Sequence, residues 1–139
     1  MIYSFCLLKP DCVDRQLVER CLQMIADQGL EIIMQDRRSL NLAEARLFYY
    51  QCRSEHYYDD LCRHITSGDC HGIIVSGRRA VDRLNSLVGI NEPQLNLPGT
   101  IRSLGQDIAH NLAHSSENFD QFFREAIIFF SKDRVISLF

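Results

Sequence analysis

The sequence predicts a single α+β domain in which a four-stranded antiparallel sheet packs against helices. Segments rich in β-forming residues alternate with amphipathic segments of helical period, in the order β-α-β-α-α-β-α-β-α. We expect this order to place the helices on one side of the sheet. No internal repeat or low-complexity linker interrupts the 139 residues, so we predict one domain over residues 1–139.

The first half of the chain carries two segments of β-forming residues and three of helical period. The predicted strands are residues 2–8 and 30–34. The predicted helices are residues 13–25, 41–52 and 56–66. Gly29 ends the first helix as a left-handed cap, and Asn41 with Glu44 resembles a capping box at the start of the second.

The second half of the chain continues the alternation. The predicted strands are residues 72–75 and 112–115, and the predicted helices are residues 80–88 and 119–130. Gly89 closes the first of these helices, and a hydroxyl from Ser115 or Ser116 is expected to cap the second. Residues 90–97 form a long surface loop, and the tail over residues 132–139 is expected to pack on itself or on a neighbouring subunit.

The composition is that of an ordinary soluble globule and argues against several functions. The chain is 46% hydrophobic and 24% charged, and its net charge of −3 disfavours a general binder of polyanions. No run of about 18 apolar residues is present and the first strand begins at once, so we expect no membrane association and a cytoplasmic location. The six cysteines form no Cys-x-x-Cys pair, and we interpret them as reduced structural thiols. Cys62 and His64, the start of a conceivable metal cluster, lie two apart on a predicted helix and therefore point to different sides.

The stretch around which we expect the function to be organised runs from Pro98 to Glu117. Pro98-Gly99 favours a turn, and His114 lies where this stretch meets the predicted C-terminal helix. The free N–H groups and the dipole at the start of a helix favour negative charge, including phosphate. These features predict an anion-binding cleft around His114.

His114 is the candidate catalytic residue of this stretch. A neutral imidazole is a competent nucleophile near pH 7, provided that its second nitrogen is held. Glu125, eleven residues further on, is the candidate holder. Arg102 is the candidate phosphate clamp, because a guanidinium group matches phosphate oxygens in pairs. Taken alone, these residues leave open a core histidine flanked by polar loop groups.

Two separated motifs resemble those of the nucleoside diphosphate kinases. Residues 98–102, Pro-Gly-Thr-Ile-Arg, precede residues 111–117, Asn-Leu-Ala-His-Ser-Ser-Glu, where the family has Pro-Gly-Thr-Ile-Arg, a loop and Asn-x-x-His-Gly-Ser-Asp. Residues 8–13, Leu-Lys-Pro-Asp-Cys-Val, resemble the family's Lys-Pro-Asp motif after the first strand. The likeness runs from about Tyr3 to Phe130 and implies the ferredoxin-like sheet of that family.

The resemblance implies how the chain would bind a nucleotide. Lys9, Tyr49 and Arg102 match positions that contact the phosphates. Tyr57 takes the place of a phenylalanine on which the base stacks, and a phenol ring stacks as well as a phenyl ring. The side-chain amide of Asn111 is expected to bind the 3′-hydroxyl of the sugar.

The resemblance also implies a catalytic group, a cofactor and an assembly. Ser116 and Glu125 are expected to orient the site around His114. Mg²⁺ would be held chiefly by the nucleotide phosphates and water, so no metal site made of protein side chains is predicted. A homo-oligomer, either a hexamer or a tetramer, is expected.

The chain departs from the family at three cleft positions. Asn85 and Asn91 stand where the family binds phosphate through an arginine and a threonine, and we keep both as candidate nucleotide-binding residues. Neither Arg83 nor Arg78 lies where it could simply replace the missing arginine. Ser115 replaces a glycine, whose backbone freedom serine lacks. The loop before the histidine motif is also one residue shorter.

The predicted function is transfer of the γ-phosphate of a nucleoside triphosphate to a nucleoside diphosphate, by a ping-pong mechanism through a phosphohistidine on His114. Because every base can stack on an aromatic ring, we expect the enzyme to show little preference among bases. One alternative is a catalytically weakened or inactive nucleotide-binding regulatory module of the same fold, motivated by the three departures. Another is a binder of single-stranded nucleic acid, which the acidic balance and the scarcity of aromatic residues on strands disfavour.

Overall fold

Residues 2–139 are described by a computed structural model, whose fold is a four-stranded antiparallel sheet with helices on both faces. The strands are β1 (Tyr3–Leu8), β2 (Glu31–Ser39), β3 (Asp69–Ser76) and β4 (Ala113–Ser115). The helices are α1 (Pro10–Asp14), α2 (Val18–Asp27), α3 (Leu42–Phe48), α4 (Tyr58–Ile65), α5 (Ala80–Val88), α6 (Phe119–Phe130) and α7 (Lys132–Ile136). Short 3-10 turns cover Tyr50–Cys52, Pro93–Leu95 and Arg102–Leu104.

The sheet has the strand order β2-β3-β1-β4, and every neighbouring pair is antiparallel. In β1, Phe5 and Leu7 belong to the core beneath α3, α4 and α6, whereas Cys6 and Leu8 belong to the core beneath α2 and α5. Successive side chains of a strand point to opposite faces of the sheet, so a strand that is apolar at every position requires helices packed against both faces. The prediction of a four-stranded antiparallel sheet is confirmed, and the prediction that the helices lie on one side is wrong.

Several predicted elements have different bounds in the structure. The first predicted helix is two helices, because Gln16 adopts a φ of 57° between α1 and α2. The second strand continues to Ser39, since its polar residues face solvent on an edge strand while its backbone pairs with β3. The third strand is likewise longer than residues 72–75. The helix that begins at the confirmed Asn41 capping box ends at Phe48 and tightens into the 3-10 turn.

The start of α6 differs from the prediction in the residue that caps it. Asn118 is the cap, and its Oδ1 accepts a hydrogen bond from the backbone N–H of Gln121 at 2.9 Å. Ser115 lies in β4, and the hydroxyl of Ser116 is buried in another hydrogen bond, so neither serine is free to cap the helix. His114 therefore projects from the edge strand β4, paired with Leu7, and not from a helix start.

The C-terminal residues fold back onto the same chain. α7 follows α6 after Ser131, and the hydroxyl of Tyr3 donates to the carbonyl of Leu138 at 3.2 Å. The ring of Phe139 meets the rings of Tyr3 and Phe119 edge-on. Of the two predicted modes of packing, on its own chain or on a neighbouring subunit, the structure shows the first. No helix within residues 2–139 has the length and apolar character needed to cross a membrane.

We expect Gly72→Ala to lower the free energy of unfolding by about 1–3 kcal/mol, the usual cost of overpacking a core. A Cβ atom at Gly72 in β3 would lie 2.5 Å from Cδ1 and Cε1 of Phe129 in α6. Gly68→Ala is the matched control, because its Cβ would meet the nearest atom, Cβ of Pro10, at an ordinary 3.6 Å. Urea unfolding of both variants measures the difference. Equal stability would mean that the Phe129 ring moves aside at no cost.

Candidate active site

The predicted site residues meet in one cleft of about 610 Å³ at the edge of the sheet where β4 lies. Its walls include the following predicted residues: Lys9, Tyr49, Tyr57, Asn85, Asn91, Arg102, Asn111 and His114. Ser116 and Glu125, the remaining two, are fully buried directly behind His114. The chain thus brings together groups from β4, α5, α6 and the loops between elements, including Lys9 directly after β1.

A buried carboxylate fixes the orientation of His114. Glu125 in α6 has no exposed surface, and its Oε2 lies 2.8 Å from Nε2 of His114. The hydroxyl of Ser116 donates to Oε1 of the same carboxylate at 2.7 Å. Because a carboxylate only accepts, Nε2 carries the proton and Nδ1 carries the lone pair. The rings of Phe48 and Tyr49 meet the imidazole edge-on and restrict its rotation.

Lys9 places an ammonium group at the floor of the cleft. It stands at the exit of β1 with 2% of its surface exposed, and its Nζ lies 2.8 Å from Oδ1 of Asn111. Burial lowers the pKa of Lys9 from its ordinary 10.5 to about 7, and the nearby charge of Arg102 adds to this effect. The amide of Asn111 also donates to the carbonyl of Asn91 at 3.0 Å. An anionic ligand in the cleft would therefore raise the pKa of Lys9 again and favour its charged form, which burial disfavours.

Arg102 and Tyr49 add donors to the same wall. The guanidinium of Arg102 is held by the carbonyls of Ala113 and Gly89, at 3.1 and 2.9 Å, while its Nη2 has no partner among residues 2–139. The hydroxyl of Tyr49 is buried and also lacks a hydrogen-bond partner in that range. Buried polar groups are normally paired, so an orphaned hydroxyl beside Lys9 is typical of a site that accepts a polar ligand or water.

Asn85 and Asn91 lie in the cleft, at positions where the sequence departs from the family motifs. Oδ1 of Asn91 lies 3.3 Å from Nη1 of Arg102, and Oδ1 of Asn85 accepts from the hydroxyl of Ser115 at 2.5 Å. Arg83 donates to the backbone carbonyls of Arg78 and Gln28 and does not line the cleft. The geometry thus agrees with the expectation that Arg83 does not replace the missing arginine.

The backbone of the histidine motif is strained at Leu112 and not at Ser115. Leu112 has a φ of 75°, whereas Ser115 is absent from the positive-φ residues, so serine meets no conformational barrier there. The N–H of Leu112 donates to Oδ2 of Asp11 at 3.1 Å, and its carbonyl accepts from the N–H of Lys9 at 2.8 Å. These bonds tie the histidine motif to the Lys-Pro-Asp motif. The sequence analysis predicts no role for Asp11, although a carboxylate two residues after the lysine was a usable signal.

A second and larger cavity, of about 770 Å³, adjoins the cleft. The two share Tyr57 and Ile108, so Tyr57 stands at the boundary between them. We place the chemistry in the smaller cleft, because the larger cavity contains neither His114 nor Lys9. Within residues 2–139, no group of three or more His, Cys, Asp or Glu side chains is arranged to hold a metal ion.

Comparison with known proteins identifies one family over most of the chain. The family model for nucleoside diphosphate kinase matches residues 3–135. The nucleoside diphosphate kinase of Methanococcus maripaludis is 32% identical over 130 residues, which are 93% of this chain and 98% of that protein. That of Thermobifida fusca is 33% identical over 125 residues, which are 89% of this chain and 93% of the relative.

Solved structures agree with the sequence comparison. The halophilic nucleoside diphosphate kinase of Halobacterium salinarum, solved in complex with CDP, superposes with a TM-score of 0.88 at 30% identity, over 94% of this chain and 88% of the other. The enzyme of Encephalitozoon cuniculi superposes with a TM-score of 0.91 over 96% of this chain and 91% of the other, and at 24% identity its likeness concerns the fold alone. The chain therefore belongs to the nucleoside diphosphate kinase family.

Proposed function

We propose that the chain transfers the γ-phosphate of a nucleoside triphosphate to a nucleoside diphosphate through a phosphohistidine on His114. The observation that carries this proposal is the hydrogen bond of 2.8 Å between Nε2 of His114 and the buried carboxylate of Glu125. It leaves the lone pair of Nδ1 as the one available for attack, in a cleft that also holds Lys9 and Arg102. The family relationship supports the same activity.

In the first half-reaction, Nδ1 of His114 forms a bond to the γ-phosphorus while the bond from that phosphorus to the β,γ-bridging oxygen breaks. The bridging oxygen keeps the electron pair and leaves with the nucleoside diphosphate. The second half-reaction is the reverse, with a terminal oxygen of another diphosphate as the attacking atom. Lys9, Arg102 and the hydroxyl of Tyr49 stabilise the charge on the oxygens, which is where most of the catalysis of phosphoryl transfer lies.

The carboxylate of Glu125 acts on the nucleophile through Nε2. It keeps the proton on that nitrogen and stabilises the positive charge that the ring acquires as the bond to phosphorus forms. Ser116 holds the second carboxylate oxygen at 2.7 Å, so the carboxylate cannot turn away. Both groups are in place before the nucleotide binds, which reduces the reorganisation needed in the transition state.

The nucleoside is bound by Tyr57 and Asn111. The base stacks on Tyr57, at the mouth of the cleft. The amide of Asn111 already bonds to Lys9 and to the carbonyl of Asn91, but its oxygen keeps one lone pair and its nitrogen keeps one proton. Either remaining position can bond to the 3′-hydroxyl of the sugar without displacing Lys9.

The chemistry of the cleft fits a Mg²⁺ ion that arrives with the nucleotide. Glu117 is the one carboxylate that lines the cleft among residues 2–139, which is too few for a site made of side chains. The ion would be held by phosphate oxygens and water, and it would neutralise part of the phosphate charge. Asn85 and Asn91 complete the phosphate contacts as neutral groups, and the lost charge costs about 1.5–3 kcal/mol of nucleotide affinity.

No observation favours the regulatory alternative, because the nucleophile, its carboxylate holder and the buried lysine form one connected arrangement. A cytoplasmic location and a homo-oligomer, hexamer or tetramer, stay predictions. Nucleotides are the proposed partners.

Incubation with γ-labelled ATP tests the proposed function. The expected result is incorporation of acid-labile, alkali-stable label into the peptide that contains His114, followed by loss of the label when a nucleoside diphosphate is added. Steady-state rates at several diphosphate concentrations should give the parallel double-reciprocal lines of a ping-pong mechanism. Intersecting lines together with an unlabelled protein would show direct transfer and overturn the proposal.

A further inference from the structure

Ser115 and Asn85, two of the residues at which the cleft departs from the family motifs, form a hydrogen bond with each other. The hydroxyl of Ser115 donates to Oδ1 of Asn85 at 2.5 Å, across thirty residues of sequence. Ser115 follows His114 in β4 with 8% of its surface exposed, and Asn85 lies in α5. The hydrogen bond therefore connects the strand that bears His114 to helix α5.

The bond determines which end of the Asn85 amide is available. With Oδ1 turned towards Ser115, the planar amide directs the two protons of Nδ2 away from it, and Nδ2 has no acceptor among residues 2–139. A reversed amide would offer its oxygen to an anion in the cleft, which is repulsive. The observed orientation is therefore the one that suits a phosphate ligand.

We propose that Ser115 is a positioning residue, whose hydroxyl holds the Asn85 amide so that its Nδ2 protons are free for a nucleotide phosphate. This inference rests on the proposed function, because it takes the ligand of the cleft to be a nucleotide phosphate. Ser115 contacts no phosphate in this proposal; its hydroxyl holds Oδ1 so that Nδ2 is presented without loss of side-chain freedom on binding.

Calorimetric binding of Mg-ADP to the full chain tests the proposal independently of turnover. Asn85→Asp keeps an acceptor for the Ser115 hydroxyl and replaces the two donor protons with a negative oxygen, so we expect at least about thirtyfold weaker binding. Asn85→Ala should weaken binding about tenfold and Ser115→Ala about three- to tenfold. Ser115→Thr, which retains the hydroxyl, should restore nearly full affinity. Ser86→Ala, an exposed neighbour on α5, is the control and should bind normally.

Two further readouts separate positioning from folding. The double variant Asn85→Ala with Ser115→Ala should bind no more weakly than Asn85→Ala alone, because Ser115 acts only through Asn85. In steady state, Ser115→Ala should raise KM and change kcat less than about twofold. Thermal unfolding identifies any variant that fails to fold, in which case the remaining single variants decide.

The inference is overturned if Asn85→Asp binds Mg-ADP as the parent does, because the amide protons then face no phosphate. If the losses of Mg-ADP affinity in the two single variants add up in the double variant, Ser115 does not act through Asn85 and is not its positioning residue. If the binding pattern holds but no label reaches His114, the proposed catalytic function fails and the phosphate-binding role of Asn85 stands. If His114 is labelled and Mg-ADP binding is unchanged in every variant, the proposed catalytic function stands and the roles of Asn85 and Ser115 in phosphate binding are excluded.

Discussion

Replacing His114 with alanine is expected to lower the turnover number for γ-phosphate transfer by at least about 10⁴-fold, because the variant removes the atom that bonds to phosphorus. Cys52, the thiol that lines the cleft, is a poor substitute nucleophile, because burial raises its pKa above the ordinary 9.0 and disfavours the thiolate. A coupled assay of diphosphate phosphorylation measures the loss. Binding of Mg-ADP should change far less, since the phosphate donors remain.

A second variant guards against loss of folding. His114→Ala leaves the buried carboxylate of Glu125 with Ser116 as its remaining partner, which is costly. His114→Gln offers an amide N–H near the former position of Nε2, so it should fold better and be equally inactive. His71→Ala, which changes a half-buried histidine that is hydrogen-bonded to Gln35 and does not line the cleft, is the control and should remain active. Phosphoryl transfer by His114→Gln at a tenth of the parent rate or more would exclude the phosphohistidine mechanism.

The sequence was most informative where a single residue type is required by the chemistry. His114 and Glu125 could be named as candidates from their chemistry, but the residues alone left a core histidine open. The resemblance of the two motifs to a known family decided for the catalytic role of His114 and supplied the role of Lys9. The hydrogen bonds of His114 to Glu125 and of Lys9 to Asn111 give each a geometry consistent with its predicted role. Which imidazole nitrogen faces the cleft depends on tertiary packing and was not predictable.

The two predictions that are wrong, the cap of α6 and the placement of all helices on one side of the sheet, both depend on contacts between residues that are distant in sequence. The hydroxyls of Ser115 and Ser116 were assigned to a helix cap, but they are bonded to Asn85 and Glu125, and Asn118 caps α6 instead. Local pattern could not reveal these partners. Likewise, the alternating faces of β1 pack against helices that lie far apart in sequence, so the cover on both faces became visible only in the fold.

Lys9→Met is the variant with the second largest expected effect, a decrease of about 10³-fold in kcat/KM for nucleotide, because Lys9 lies at the floor of the cleft where charge develops. The methionine side chain is nearly as long as the lysine side chain and fills the same buried space, so the decrease in kcat/KM should reflect the lost charge and not a cavity. Without nucleotide the variant should be at least as stable as the parent at pH 6, since burying an ammonium group is unfavourable. A variant that is both unstable and inactive would instead indicate a structural role.

The depressed pKa of Lys9 makes the stability of the nucleotide-free protein depend on pH. In the folded chain the pKa of Lys9 is about 7, against 10.5 for a lysine in the unfolded chain, so between these values the unfolded chain binds a proton that the folded chain lacks. Stability must therefore rise with pH, by about 2 kcal/mol between pH 7 and pH 8.5. Above that window the buried thiols of Cys6 and Cys70, whose pKa values burial raises, act in the opposite direction. Urea unfolding of parent and Lys9→Met at the two pH values isolates the contribution of the lysine.

The same pKa predicts proton uptake when a nucleotide binds. At pH 8 the free protein holds Lys9 mostly neutral, whereas phosphate oxygens beside Nζ favour the charged form, so binding of Mg-ADP should draw up to about one proton from the buffer. Calorimetry in buffers of different ionisation enthalpy measures this number directly. At pH 6 the uptake by Lys9 should vanish, because the lysine is already charged there. Lys9→Met should show less uptake than the parent at pH 8; equal uptake in the two proteins would assign the proton to another group and would mean that the phosphates do not meet Lys9.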